Sequence, residues 1–174
     1  MRAGYKEGPF PNMAGGFNDK TCHSCHLDNP LNAPGGSLEV AGVPPTYSPG
    51  ESYPITVTLS REGMKRGGFE IAARFTGGKQ KGRQAGTWRP LDRRVQLIRS
   101  LRNPSLQFVQ HNTAGTIAVV RGVNNWTVEW TAPAARSAAV QFNVAGNASN
   151  DDDSALGDFI YLKMLRSMPR QRLR

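Results

Sequence analysis

Six residues, Thr21-Cys22-His23-Ser24-Cys25-His26, carry the most distinctive chemistry in this chain. Cys22 and Cys25 are its only cysteines, and His26 follows the second one directly. This is the Cys-x-x-Cys-His spacing of covalent attachment to a c-type haem. Each thiol adds to one of the porphyrin's two vinyl groups, so the sulfurs must bridge an edge of the ring. The adjoining histidine then offers an imidazole nitrogen to the iron as proximal ligand. His23, between the thiols, is poorly placed to reach the same iron. Two other chemistries use a Cys-x-x-Cys pair. A thioredoxin-like redox pair opens a helix after a strand, whereas Gly16-Phe17-Asn18-Asp19-Lys20 stands in front of this one. Zinc takes roughly four ligands, which Cys22, Cys25, His26 and the distant His111 could supply. The preferred reading is one covalent haem c on Cys22, Cys25 and His26.

A c-type haem usually takes a second axial ligand, histidine or methionine. His111, at the close of a predicted strand, is the first choice. Met64 is the second, because Glu62, Gly63 and Lys65 around it do not suggest a core position. Met13, Met164 and Met168 complete the candidates. Phe10, Met13 and Phe17 could cover an apolar macrocycle. Asn150-Asp151-Asp152-Asp153 with Asp158 offers the oxygen ligands that calcium takes. It lacks the Asp-x-Asp-x-Asp-Gly order, and an acidic turn is the preferred reading. No serine–histidine–acid set and no paired carboxylates stand out, which favours an electron carrier over an enzyme.

The net charge of +9 over 174 residues is uneven. Lys163, Arg166, Arg170, Arg172 and Arg174 form an acid-free tail, and these five leave +4 for the rest. A solvated tail is the expected reading. Lys65, Arg66, Lys79, Lys81 and Arg83 could steer an acidic redox partner. No nucleic-acid recognition motif is present, and no apolar run reaches the length of a membrane span. Met1-Arg2-Ala3-Gly4-Tyr5 has no apolar stretch of the signal-peptide kind. Because bacterial haem c is attached outside the cytoplasm, the sequence reads as a mature form or one with a truncated start. Its expected location is periplasmic, secreted or at the cell surface.

These groups need a scaffold, and the pattern around them is β. Residues 1–36 are rich in Gly, Pro and Asn and read as an irregular arm carrying the motif. Alternation then predicts strands at 37–41, 53–60, 67–75, 95–98, 106–111, 126–130, 139–145 and 159–162, with a weaker one at 116–120. Tyr53, Ile55, Val57 and Leu59 share one inward face. So do Phe69, Ile71, Ala73 and Phe75, and Trp126, Val128 and Trp130. Residues 43–50 read as a rigid turn region and 77–88 as a loop. Only 162–168 has any helical character. The expected organisation is an arm over 1–36, an all-β antiparallel immunoglobulin-like sandwich over 37–162, and the basic tail over 163–174.

Tyr-x-Pro-Gly-x-x-Tyr-x-Ile-x-Val at 47–57, Gly-Phe-Glu-Ile at 68–71, Gln-His-Asn at 110–112, Trp-Thr-Ala-Pro-Ala at 130–134 and Ala-Gly-Asn-Ala at 145–148 resemble the Reeler domain. They are most similar to its bacterial relatives, the choice-of-anchor V domains, over about 21–161. The resemblance implies an immunoglobulin-like sandwich and export. Bacterial members often carry Cys-x-x-Cys-His just upstream, as Cys22, Cys25 and His26 stand here. A histidine also occurs at the place of His111 in animal members that have no haem there, which implies a structural role for it. Three functions follow, in this order: an exported mono-haem electron-transfer protein, an extracytoplasmic binding or adhesion module in which the motif is a structural or metal site, and a haem enzyme or gas sensor.

Overall fold

A computed structural model of the chain describes residues 5–135 and 138–171. Ten strands form two sheets: β1 Gly36–Ala41, β2 Thr46–Tyr47, β3 Ser52–Arg61, β4 Arg66–Phe75, β5 Thr87–Pro90, β6 Val95–Arg99, β7 Gln107–His111, β8 Val123–Thr131, β9 Val140–Ser149 and β10 Phe159–Pro169. The first sheet runs β1-β3-β8-β5 and the second β2-β10-β9-β4-β7-β6. Pairing is antiparallel throughout, except that the two-residue β2 lies parallel to β10. The all-β sandwich expected from the alternation is thus the observed architecture. No helix among the described residues is long and apolar enough to cross a membrane.

Period-two alternation decides which side chains fill the space between the sheets. From the first sheet come Ile55, Val57, Leu59, Trp126, Val128 and Trp130, all fully buried. Phe69, Ile71, Ala73, Phe75, Val140, Phe142 and Val144 meet them from the second. Trp126 stacks on Phe69 at 4.5 Å between ring centres, and Trp130 meets Phe142 edge-on at 4.8 Å.

The elements that position the motif lie outside this core. Strand β4 is buried on both faces, because the N-terminal arm crosses the outer face of the second sheet. Ala14 joins Ala72, Leu106 and Phe108 in a second small apolar cluster there. Asp19 pairs with Arg74, whose guanidinium lies 5.5 Å from the Phe17 ring centre and 5.4 Å from that of Phe108. The Met13 N–H donates to Glu70 Oε1 at 2.6 Å. The arm is therefore part of the folded unit, fastened by an ion pair, a buried carboxylate and an apolar contact.

Several local expectations change. Residues 163–169 are the second half of β10, not the start of a tail and not a helix. Their backbone pairs with β9 through Ser167 opposite Val140, and ladder hydrogen bonds are indifferent to the basic side chains. Arg172 and Arg174 of the expected tail lie outside the described residues. Residues 116–120 form no strand; a short 3-10 turn, Thr113–Thr116, occupies part of that stretch. Thr46 and Tyr47 form a strand inside the expected turn region, and Thr87–Pro90 one at the end of the expected loop, where Trp88 pairs opposite Trp130.

Candidate functional site

The motif sits on one tight turn of the arm. Residues Cys22–Ser24 form a 3-10 turn whose entry is capped by Thr21, its Oγ1 accepting from the His23 N–H at 3.2 Å. The Cys22 carbonyl accepts from both Cys25 N–H and His26 N–H at 3.2 Å. Positions separated by three and four residues share one side of such a turn, so Cys22, Cys25 and His26 face the same way. All three line one cleft between the arm and the second sheet that is partly open to solvent. Pro9, Phe10 and Met13 give it apolar walls. His23 turns elsewhere, its Nε2 3.0 Å from the Asn29 carbonyl.

Both cysteines are free thiols, Cys25 exposed and Cys22 partly covered. Loss of solvation, with the Glu70 carboxylate as a second cause, pushes the Cys22 thiol up to about 12. The thiolate is the nucleophile, so Cys22 is sluggish in the folded, haem-free chain. Iodoacetamide at neutral pH should label Cys25 at least about tenfold faster than Cys22, read by peptide mass spectrometry. Equal rates would show that the arm does not shield Cys22.

His26 is half-buried and meets two residues from the far end of the chain. Its Nδ1 lies 2.9 Å from Asp158 Oδ2, and its Nε2 lies 3.3 Å from Asn147 Nδ2. Asn147 Nδ2 also donates to Asp158 Oδ2 at 3.2 Å. A carboxylate only accepts, which fixes the Asn147 amide with its NH2 toward Asp158. The same NH2 then donates to His26 Nε2, leaving Nε2 as the acceptor and Nδ1 as the protonated nitrogen. Two buried polar atoms here, His26 Nδ1 and Asn147 Oδ1, have no aligned hydrogen-bond partner. A buried site with orphaned polar atoms is one whose full set of contacts is incomplete.

His111 also lines the cleft and is buried, but its nitrogens are placed differently. The Phe69 N–H donates to Nδ1 at 3.0 Å, and Nε2 faces the Tyr5 carbonyl at 3.3 Å. Nε2 is therefore the protonated nitrogen, used to hold the arm. The Phe69 carbonyl, 3.2 Å from Nδ1, takes no proton from it in this tautomer. Burial lowers the pKa of His111, so the ring is neutral. Gly68 makes this possible, since a Cβ there would lie 2.6 Å from His111 Cε1.

Met64, the second choice for a distal ligand, packs in the main hydrophobic core, because the turn from Arg61 folds it back under Gly67. Met164 and Met168 are exposed on β10. Met13 lines the cleft, as does Phe10, while Phe17 packs on Arg74 instead. Asp151 pairs with Lys6 and Arg66 rather than converging with Asp158. Among the described residues no three His, Cys, Asp or Glu side chains come together as a ready metal site, so Cys22, Cys25, His26 and His111 are not assembled for zinc. Asn147 and Asp158 are the site residues that sequence reasoning did not assign to it. The only local sign was an acidic residue just ahead of a strand.

The structure is similar to the Reelin-N domain of F-spondin, with a TM-score of 0.53 and 22% identity over 86% of this chain and 96% of that one. It is similar to the human F-spondin reeler domain too, with a TM-score of 0.51 and 22% identity over 83% and 96%. The fold is a Reeler-like β-sandwich. No family model matches the chain, and no curated protein matches it. Within this Reeler-like frame, the cleft lies on the outer face of the second sheet.

Proposed function

We propose that this chain is an exported, mono-haem c-type electron-transfer protein. The observation that carries the reading is the joint placement of Cys22, Cys25 and His26 on one wall of a cleft; the His26 Nε2 lone pair would ligate on release of its contact with Asn147. When bound, haem c supplies a one-electron ferrous–ferric couple. Cys22 and Cys25 would hold it covalently and His26 would ligate the iron. Phe10 and Met13 would shield it from water. Because Nε2 of His111 carries a proton directed at the Tyr5 carbonyl, His111 serves as a distal ligand only if that contact is released. Cys25 is exposed, so one edge of the haem would lie near the surface, within reach of a partner. Lys65, Lys79, Lys81 and Arg83 are exposed and free to attract an acidic partner, whereas Arg66 is engaged with Asp151.

The test is expression with export in a host that matures c-type haem, followed by a pyridine haemochrome assay. The native chain is expected to carry one covalent haem, and Cys22→Ala with Cys25→Ala none, at unchanged fold by circular dichroism. A colourless native protein with two free thiols overturns the proposal. The Reeler-like sandwich supports a second reading, a binding or adhesion module, in which the double variant keeps every partner contact of the native chain.

A further inference from the structure

Asp158 is a carboxylate that the fold has buried without a cation. It is 1% exposed, and among the described residues its only ionic neighbour is His26. Among the described residues no lysine or arginine pairs with it; Arg66 and Lys6, which also line the cleft, are taken by Asp151 and Asp153. Its other contacts are neutral donors. Oδ1 accepts from the Asn150 N–H at 3.1 Å and Oδ2 from Asn147 Nδ2 at 3.2 Å, while the Asn29 amide donates to its main-chain carbonyl at 2.9 Å. Two neutral donors hold the carboxylate and a third holds its main chain, and Oδ2 lies 2.9 Å from His26 Nδ1. Burying a charge in this way is costly unless something uses it.

We infer that Asp158 is the positioning residue of the proposed haem site, holding His26 with its proton on Nδ1 and its lone pair on Nε2. The inference rests on the haem reading above for its consequence and on contacts in the haem-free chain for its geometry. A carboxylate behind a ligating histidine fixes the tautomer and ring orientation and makes the far nitrogen a stronger donor. The Nδ1–H is close to Oδ2 but out of line with it in the free chain. Such contacts commonly tighten only when the site is filled. A more basic proximal ligand favours the ferric state, so Asp158 lowers the reduction potential. In the haem-free chain Asn147 donates to both partners, which keeps the proton off Nε2, and the Nε2 lone pair is open to iron once that 3.3 Å contact is released.

The experiment has one arm without haem and one with it. In the haem-free chain, nitrogen-15 NMR of the imidazoles should show His26 with the proton on Nδ1. Asp158→Asn should convert it to a mixture of tautomers. A native His26 protonated on Nε2 overturns the inference whatever any variant does. In the haem-loaded protein, Asp158→Asn should keep its covalent haem and raise the reduction equilibrium constant at least tenfold, about 59 mV for one electron. Asp158→Glu should restore part of the shift. Unchanged potential with full haem content overturns the inference and leaves the haem reading standing. A native chain that takes up no haem overturns the haem reading, while the NMR arm still decides the role of Asp158.

Discussion

Glu70→Gln should leave the domain about as stable as the native chain at pH 5 and make it more stable at pH 8 by roughly 3 kcal/mol. Glu70 is fully buried on β4 under the arm, and burial raises its carboxyl to about 8 from an ordinary 4.5, with Asp19 adding to the rise and Arg74 and two arm N–H groups opposing it. Between those two values the native state holds a proton that the unfolded chain has released. The contribution of Glu70 is therefore fully present below about 4.5, falls as pH rises through the window, and is lost above about 8. The slope approaches about 1.4 kcal/mol per pH unit. His111, lowered by burial, gives the opposite slope below its ordinary 6.5, so the decline should be cleanest between 6.5 and 8. Asp151, Asp152 and Glu129, all lowered, act at more acid pH.

Glu70 Oε2 is a buried acceptor without a partner, and so is Oε1 of Gln110, the residue directly opposite on β7. A protonated Oε2 is a donor that can serve a neighbouring acceptor, whereas an ionised Glu70 leaves two buried acceptors unpaired on adjacent strands. Glutamine reproduces the protonated form, with Oε1 for the Met13 N–H and an NH2 for Gln110. Urea unfolding from pH 5 to pH 9 measures both chains. A native curve that stays level from pH 6.5 to pH 8 would mean that Glu70 is ionised in the fold.

Trp130→Ala should cost about 3–5 kcal/mol, most of the stability of a typical domain. The indole is fully buried where the two sheets meet. It touches Phe142, Tyr47 and Tyr53 at 4.8, 5.8 and 5.9 Å between ring centres. Its Nε1 donates to the Ala85 carbonyl at 2.9 Å, which ties the approach to β5 onto β8. Alanine leaves a cavity and also strands that carbonyl, a further cost of about 1 kcal/mol or more. Leu101→Ala, at a site 83% exposed, is the control and should change stability by less than about 0.5 kcal/mol. Thermal unfolding followed by tryptophan fluorescence and circular dichroism distinguishes the two. A Trp130→Ala loss no larger than the Leu101→Ala loss would remove this indole from the core.

Two features were legible in the sequence because both are local. The Cys22, Cys25 and His26 spacing places three groups on one side of a single turn wherever that turn lies. Alternation likewise decides which side of β3, β4 and β8 is apolar, since successive side chains of a strand point to opposite faces. The inward sets Ile55-Val57-Leu59 and Trp126-Val128-Trp130 follow from this without any knowledge of strand order.

What the tertiary structure decided is everything that depends on a second segment. Glu70 alternates with Phe69 and Ile71 and so reads as solvent-facing; only the arm folding over β4 makes it buried. Met64 looks like a loop residue until the turn from Arg61 tucks it under Gly67. Lys163 to Pro169 reads as a charged tail, yet main-chain hydrogen bonds to β9 make it a strand. Asn147 is 121 residues from His26, and no pattern in either neighbourhood links them. The sequence determined the Cys-x-x-Cys-His spacing of Cys22, Cys25 and His26. The environment of its histidine, a caged carboxylate on one nitrogen and an amide on the other, exists only because the arm lies across the far ends of β9 and β10.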